Sequence, residues 1–344
     1  FQNTYIETIF IPSQITKIAE GTFYRCERLE KVKILKDSKL QKIEKQAFYN
    51  TVIKSLTIPS SVTQLDEGWC DSVYRLNKIE ILPQNPKFIL FDKKMIIEKN
   101  DIKSDQYDAI IFVLRNVKSV KIPSFIKEIK SHSFFYSSIE KVEFSSDSKL
   151  EIIGSYAFSK SYINNLIIPS SVTNIYECAF FDCRFLTSIE FPLDSKLQQI
   201  SENVFSESKI DGITIPKHVT KICKNAFSGC NNLYSIDFLK DSELKIIEKK
   251  AIVNTRVWEL KIPSSVIELE DECFDQFMNI EISPYNKRYM NICNQDYVIG
   301  KSDIKSDIYD SLIYSNRCSK NIIIPSNIRS INKSVFIESK IKNV

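Results

Sequence analysis

Apolar and variable residues alternate in short bursts along the chain, and each burst ends on the same letters. Asn165-Leu166-Ile167-Ile168 and Glu259-Leu260-Lys261-Ile262 show the two-residue period of a half-buried strand. Proline follows at the strand end, where its missing N–H breaks no ladder bond. The Ile-Pro pair recurs at Pro12, Pro59, Pro123, Pro169, Pro216, Pro263 and Pro325, in steps of 47, 64, 46, 47, 47 and 62 residues. Three copies extend to Ile-Pro-Ser-Ser-Val, at Ile58, Ile168 and Ile262. A fixed period of this kind predicts a solenoid, in which each repeat buries its apolar face only against its neighbours.

The 47-residue step holds two units. A small residue followed by Phe falls about once per half period, for example at Ala47-Phe48, Ala157-Phe158, Ala179-Phe180 and Ala226-Phe227. Counting Trp69-Cys70 and Ala251-Ile252 as degenerate copies, eleven repeats carry this mark. One unit reads L-x-x-I-x-I-P-x-S-V-T-x-I-x-x-x-A-F: a strand, a turn, a short return segment, and a plug in which Ala fits where coils crowd and Phe fills the core. The six glycines of the 344 residues are few for a fold built on tight hairpins. A parallel stack of coils, with strands about 4.8 Å apart, needs none.

With Cys230 three residues after the Phe and Leu233 beyond it, the run from Ile215-Pro216 resembles the repeat of the BspA-like leucine-rich-repeat family. Asp37-Ser38-Lys39-Leu40-Gln41-Lys42-Ile43 and Asp194-Ser195-Lys196-Leu197-Gln198-Gln199-Ile200 are similar to the alternating unit of trichomonad surface proteins of that type. The resemblance covers essentially the whole chain. It implies a right-handed leucine-rich-repeat solenoid with a parallel, concave β-sheet and short strands or turns on the convex side. It also implies a module that binds other macromolecules, with adhesion to host or matrix proteins as the suggested role, at the cell surface. The family offers no catalytic residues to carry over.

Two steps are longer by about 16 residues. Both contain the pentapeptide Asp-Ile-Lys-Ser-Asp, at 101–105 and 303–307, between apolar runs (Met95-Ile96-Ile97 and Ala109 to Val113; Tyr297-Val298-Ile299 and Leu312-Ile313-Tyr314). These are hairpin-like insertions, near 85–118 and 286–320, within a single solenoid spanning 1–344. Each either carries recognition or replaces part of one coil. The chain starts and ends inside a repeat without a polar cap, which predicts a piece of a longer array.

Composition narrows the function. At 43% hydrophobic and 26% charged, the chain matches an ordinary folded protein, and no apolar run is long enough to span a membrane. The net charge of +4 forms no basic stripe with interleaved aromatics, which argues against nucleic acid. No zinc, phosphate-loop or hydrolase motif occurs, and no cofactor, metal or catalytic residue is predicted. The histidines, His132 and His218, read as solvated surface residues. Of the nine cysteines, Cys26, Cys183 and Cys230 sit three residues after a core Phe, where other units carry Ser or Thr, so they read as small core residues. Their lack of evident pairing leaves an intracellular scaffold as the alternative to a cell-surface adhesion module.

A partner would meet the strand positions that alternate with the buried ones. Their central column reads Lys33, Thr57, Glu80, Lys121, Glu143, Ile167, Glu190, Thr214, Asp237, Lys261, Glu281 and Ile323, with Glu143, Glu190 and Asp237 recurring on every second coil. These acids either contact a ligand or only keep an exposed sheet soluble. A second column holds Asp211, Tyr234, Trp258 and Met278, and turns apolar where elsewhere it is polar. Tyr and Trp are favoured interface anchors. Either this patch is free, or the second insertion covers it.

Overall fold

The structure is a computed structural model that describes residues 1–274, 279–293, 296–315 and 324–336. It divides into two units, Phe1–Leu186 and Thr187–Val344. Each is a parallel β-solenoid, with no helix among the described residues.

In the first unit the strands Thr8–Ile11, Lys31–Ile34, Ser55–Ile58 and Lys78–Ile81 lie parallel in that order, one per coil. A second parallel ladder follows the insertion, made of Ser119–Ile122, Lys141–Phe144 and Asn165–Ile167. Alternation sets the faces: Val120 and Ile122 are buried while Ser119 and Lys121 are exposed. The return segments pair as two-residue strands on the opposite layer, Lys17–Ile18 with Lys42–Ile43 and Gln64–Leu65, then Glu128–Ile129 with Ile152–Ile153 and Asn174–Ile175. The second unit repeats the plan with Ser188–Glu190, Gly212–Ile215 and Ser235–Phe238 on one face. Glu259–Ile262 and Asn279–Ile282 form a further parallel pair. Its return layer is Gln199–Ile200, Lys221–Ile222, Ile246–Ile247 and Glu268–Leu269.

The Phe plugs stack into aromatic columns. Phe134, Phe158 and Phe180 have ring centroids 4.5 and 5.2 Å apart, and Phe205 and Phe227 lie 5.7 Å apart. At Trp69-Cys70 the order is inverted. The backbone N–H of Phe48 bonds to the Trp69 carbonyl, just as that of Phe23 bonds to Ala47, so Trp69 stands at the Ala position and Cys70 at the Phe position. The indole swings into the column between Phe48 and Phe112. Volume is conserved across the pair, not at either site.

Each plug is flanked by backbone in the left-handed region. Tyr156 (φ 56°) and Lys160 (φ 57°) bracket Ala157-Phe158, and Asn225 (φ 54°) and Gly229 (φ 75°) bracket Ala226-Phe227. Such a conformation costs a non-glycine residue about 1–2 kcal/mol. Bonds to the next coil hold it, as in Tyr136 N–H to Ser159 O at 3.0 Å and Lys160 N–H to Phe181 O at 2.9 Å. The coil thus turns sharply with few glycines.

Both insertions are three-stranded antiparallel meanders. Phe88–Phe91 pairs with Met95–Glu98, which pairs with Ala109–Val113; the last strand then runs parallel to Glu128–Ile129 in the return layer. Tyr289–Ile292, Tyr297–Gly300 and Ser311–Ser315 do the same before Ser330–Ile331. The third strand supplies its own aromatic plug. Phe112 lies 5.5 Å from Trp69, and Tyr314 lies 6.4 Å from Phe274. A buried asparagine ties each meander to the coil before it. Asn85 Nδ2 donates to the carbonyls of Pro59 (3.0 Å) and Val62 (2.9 Å), and its Oδ1 accepts from Lys87 and Phe88 N–H. Asn286 repeats these bonds with Pro263, Val266, Arg288 and Tyr289.

Candidate functional site

The exposed face of the second unit carries four of the six candidate residues, Tyr234, Trp258, Glu190 and Asp237, while Glu143 lies in the first unit. Tyr234 immediately precedes the strand Ser235–Phe238, and Trp258 immediately precedes Glu259–Ile262. Their coils are neighbours, since Arg256 N–H bonds to Leu233 O at 2.8 Å. The two residues are 65% and 64% exposed, so the described strands of the second insertion do not cover them. Its strands lie at the return layer, where Tyr289 Oη accepts from Leu269 N–H at 3.0 Å. Met278 and Ile323 lie outside the described residues.

Beside the aromatic pair runs a low floor. Gly212 pairs with Ser235, and a Cβ on Gly212 would stand 2.7 Å from Ser235 Oγ, so a larger residue would fill the floor and turn that hydroxyl aside. Beyond the floor stand Glu190, Thr214 and Asp237, all exposed, with Thr214 directly opposite Asp237.

The three acids of the central column are not equivalent. Glu143, in the first unit, is paired with Lys141 two residues earlier on the same strand face. Hydrogen bonding and charge from Lys141, aided by Lys121 on the adjacent strand, hold its carboxyl below the usual range. Glu190 and Asp237 have Ser188 and Ser235 where Glu143 has Lys141. Among the described residues no cation lies within ion-pair distance of either. The spacing of the column concealed this. The residue two places earlier in each strand carried the distinction.

The histidines differ from each other as well. His218 is half-exposed, with Nδ1 3.2 Å from Glu243 Oε1. His132 is not solvated: it is largely covered, stacks on Tyr156 at 5.2 Å, and sets Nδ1 2.7 Å from Oδ2 of buried Asp71. Arg115, buried beside them, lies 4.3 Å over the Phe112 ring and donates to Ser133 O at 3.4 Å. These groups join the coil before the first insertion to the coil after it, with the buried Cys70 thiol beside Arg115 and Asp71. No group of three or more His, Cys, Asp or Glu among the described residues is placed to hold a metal ion. No helix of the described residues is long and apolar enough to cross a membrane.

The cysteines behave as core residues. Cys26, Cys183 and Cys230 are fully buried and donate to the carbonyl of the preceding plug, Phe1, Phe158 and Phe205, at 3.0 to 3.1 Å. Burial pushes the Cys183 and Cys230 thiols up to about 12. No disulfide joins the eight described cysteines, and only Cys293 of them is exposed.

Comparison with known proteins agrees with this architecture. No curated protein matches the chain by sequence. Among solved structures, a leucine-rich-repeat protein from Eubacterium ventriosum is similar over 85% of this chain and 81% of its own, with a TM-score of 0.67 and 19% identity. A leucine-rich cell surface protein from Faecalibacterium prausnitzii matches over 77% of this chain with a TM-score of 0.54 and 24% identity. The match spans 59% of that protein's length. The pneumococcal vaccine antigen PcpA matches over all of this chain and 69% of its own, with a TM-score of 0.53 and 18% identity. At these identities the likeness is one of fold. The model of the BspA-type leucine-rich-repeat region matches residues 1–108, 108–234, 151–281 and 285–344, and the chain therefore belongs to that family.

Proposed function

We propose that the chain is a non-enzymatic protein-binding module of a cell-surface adhesion protein, and that the partner docks on the second unit's exposed strand face. The carrying observation is that Tyr234 and Trp258 stand open on adjacent coils, in a column that is polar from Glu30 to Asp211. Two large aromatics side by side make a contiguous exposed apolar patch, and they are the residue types that anchor interfaces. Membership of the BspA-type family supports the reading, as does similarity to a protein described as a cell surface protein. The partner class is a protein, such as one of a host surface or matrix. The test is binding of immobilised matrix proteins by the chain and by its Tyr234→Ala/Trp258→Ala variant. Loss of binding with an unchanged melting temperature is expected, and unchanged binding would remove the site.

The described cysteines, joined by no disulfide, favour a second reading, an intracellular scaffold. Buried thiols that stay protonated are inert on either side of a membrane, so they do not decide the compartment. Locating the full-length protein by surface labelling of intact cells separates the two readings.

A further inference from the structure

On the reading that the second unit's face binds polypeptide, we propose that the occupant is an extended segment of the partner rich in arginine or lysine. Charge is the first argument. The exposed and half-exposed positions of this face carry Glu190, Asp211, Asp237, Glu259 and Glu281 against a single cation, Lys261. The Lys261 ammonium already lies 3.9 Å from Glu259 and 3.6 Å from Glu281. Glu190, Asp211 and Asp237 have no cation at ion-pair distance among the described residues, although the chain as a whole carries +4. Lys209 and Arg256 lie just outside these columns, at the leading edge.

The aromatic faces supply the second argument. Two other exposed tyrosines of this chain, Tyr5 and Tyr162, meet the protein's own cations, while Tyr74, Tyr176 and Tyr285 have none over the ring among the described residues. Arg28 lies 5.2 Å over Tyr5, and Lys118 lies 5.9 Å over Tyr162. Among the described residues, no such cation stands over Tyr234 or Trp258. Two open π faces and two unpaired carboxylates thus flank one low floor, roughly 10 Å apart along the strand. An arginine can stack its planar guanidinium on the indole, and its fork matches a carboxylate. Successive cations of one extended segment would take the two sides in turn. The floor of Ser188, Gly212 and Ser235 leaves room for its backbone.

The test uses the intact chain and synthetic peptides of repeating Arg-Arg-Ser-Ser, Gln-Gln-Ser-Ser and Glu-Glu-Ser-Ser (the Arg-Ser, Gln-Ser and Glu-Ser peptides), whose paired residues fall on opposite sides of an extended backbone, read by calorimetry and by tryptophan emission. Trp258 is the exposed tryptophan, and buried Trp69 supplies a constant background. Arg-Ser is expected to bind saturably, to blue-shift the emission and to weaken with salt. Asp237→Asn and Glu190→Gln are each expected to weaken it about five- to tenfold, the loss of one charge-assisted bond. Both positions are exposed, so the variants should melt with the parent chain. The proposal falls if Gln-Ser or Glu-Ser binds as tightly, or if the two carboxamide variants bind Arg-Ser like the parent. Gln-Ser binding that Trp258→Ala abolishes would leave the face as a polypeptide site of other chemistry. Self-association that the carboxamide variants disrupt, without Arg-Ser binding, would make the occupant a second copy and overturn the proposal.

Discussion

The Cys230 thiol donates a 3.0 Å hydrogen bond to the carbonyl of Phe205, the plug of the preceding coil. Where this position is Thr51, the hydroxyl instead bonds its own coil's plug, donating to Phe48 O at 3.0 Å. At Ser137, three residues after Phe134, the buried hydroxyl has no partner among the described residues, so the shared requirement is small size, and a donor is used only in some coils. Cys230→Ser and Cys230→Ala should each cost about 1 kcal/mol or less, because the Phe205 carbonyl keeps the bond it accepts from Ser208 N–H at 3.0 Å. Because both thiols are pushed up to about 12, iodoacetamide near neutral pH should label Cys293 in the folded chain and spare Cys183 and Cys230. Peptide mapping by mass spectrometry reads this directly, and rapid labelling of Cys230 would contradict the buried placement.

Asn85 makes four hydrogen bonds to backbone groups that no other side chain is shown to satisfy. Asn85→Ala should destabilise the first unit by roughly 1–3 kcal/mol, since Val62 O and the Lys87 and Phe88 N–H groups lose their side-chain partner together, while Pro59 O keeps the bond from Val62 N–H. Asn85→Asp should not rescue it, because a carboxylate cannot donate to Pro59 and Val62. Denaturant unfolding measures both. An Asp variant as stable as the parent chain would show that the two donated bonds carry little.

Much of the fold was legible because a solenoid repeats its instructions. The Ile-Pro step located the strands, and the Ala-Phe pair located the plugs. The first strand of each insertion escaped because Phe88-Ile89-Leu90-Phe91 is apolar on both faces: Phe88 is buried and Leu90 packs on the core, while Ile89 and Phe91 take the opposite side. The plugs Phe112 and Tyr314 escaped because neither follows an alanine. At the candidate site, Tyr234 and Trp258 were legible as a break in a polar column. The pairing state of the acids was not, because it depends on neighbours two residues away and one strand across.

Trp69 and Cys70 exchange the usual volumes of their two positions, and this predicts a strong coupling. Trp69→Ala should cost about 3–5 kcal/mol by opening a cavity between Phe48 and Phe112. Its indole N–H has no acceptor among the described residues, so no hydrogen bond is lost with it. Adding Cys70→Phe restores the Ala-Phe pair of the other coils and should recover about 1–3 kcal/mol. A double-mutant cycle in urea measures the coupling. Additive losses would mean that the coil cannot accept the ordinary plug.

Glu98 gives a pH dependence whose sign is opposite to that of the surface carboxylates. Burial raises its pKa above the ordinary 4.5, and Lys87 (3.3 Å) and Lys130 (3.9 Å) offset this only in part. A carboxyl with a raised folded pKa holds its proton more tightly in the folded state. It therefore destabilises the fold once charged, and stability is regained as pH falls through the raised value toward 4.5. Glu44 and Asp310, with lowered values, stabilise above their unfolded pKa and lose that contribution as pH falls. The whole-chain melting curve mixes the two signs, so the informative quantity is the difference between Glu98→Gln and the parent chain. The variant should gain relative stability at about pH 7, and the gain should shrink toward about pH 4, where the parent's Glu98 is also neutral. The second insertion has Gly300 at the matching register position, so the meander does not require a charge there. A difference that instead grows as pH falls would show that the two lysines outweigh the burial of the carboxylate.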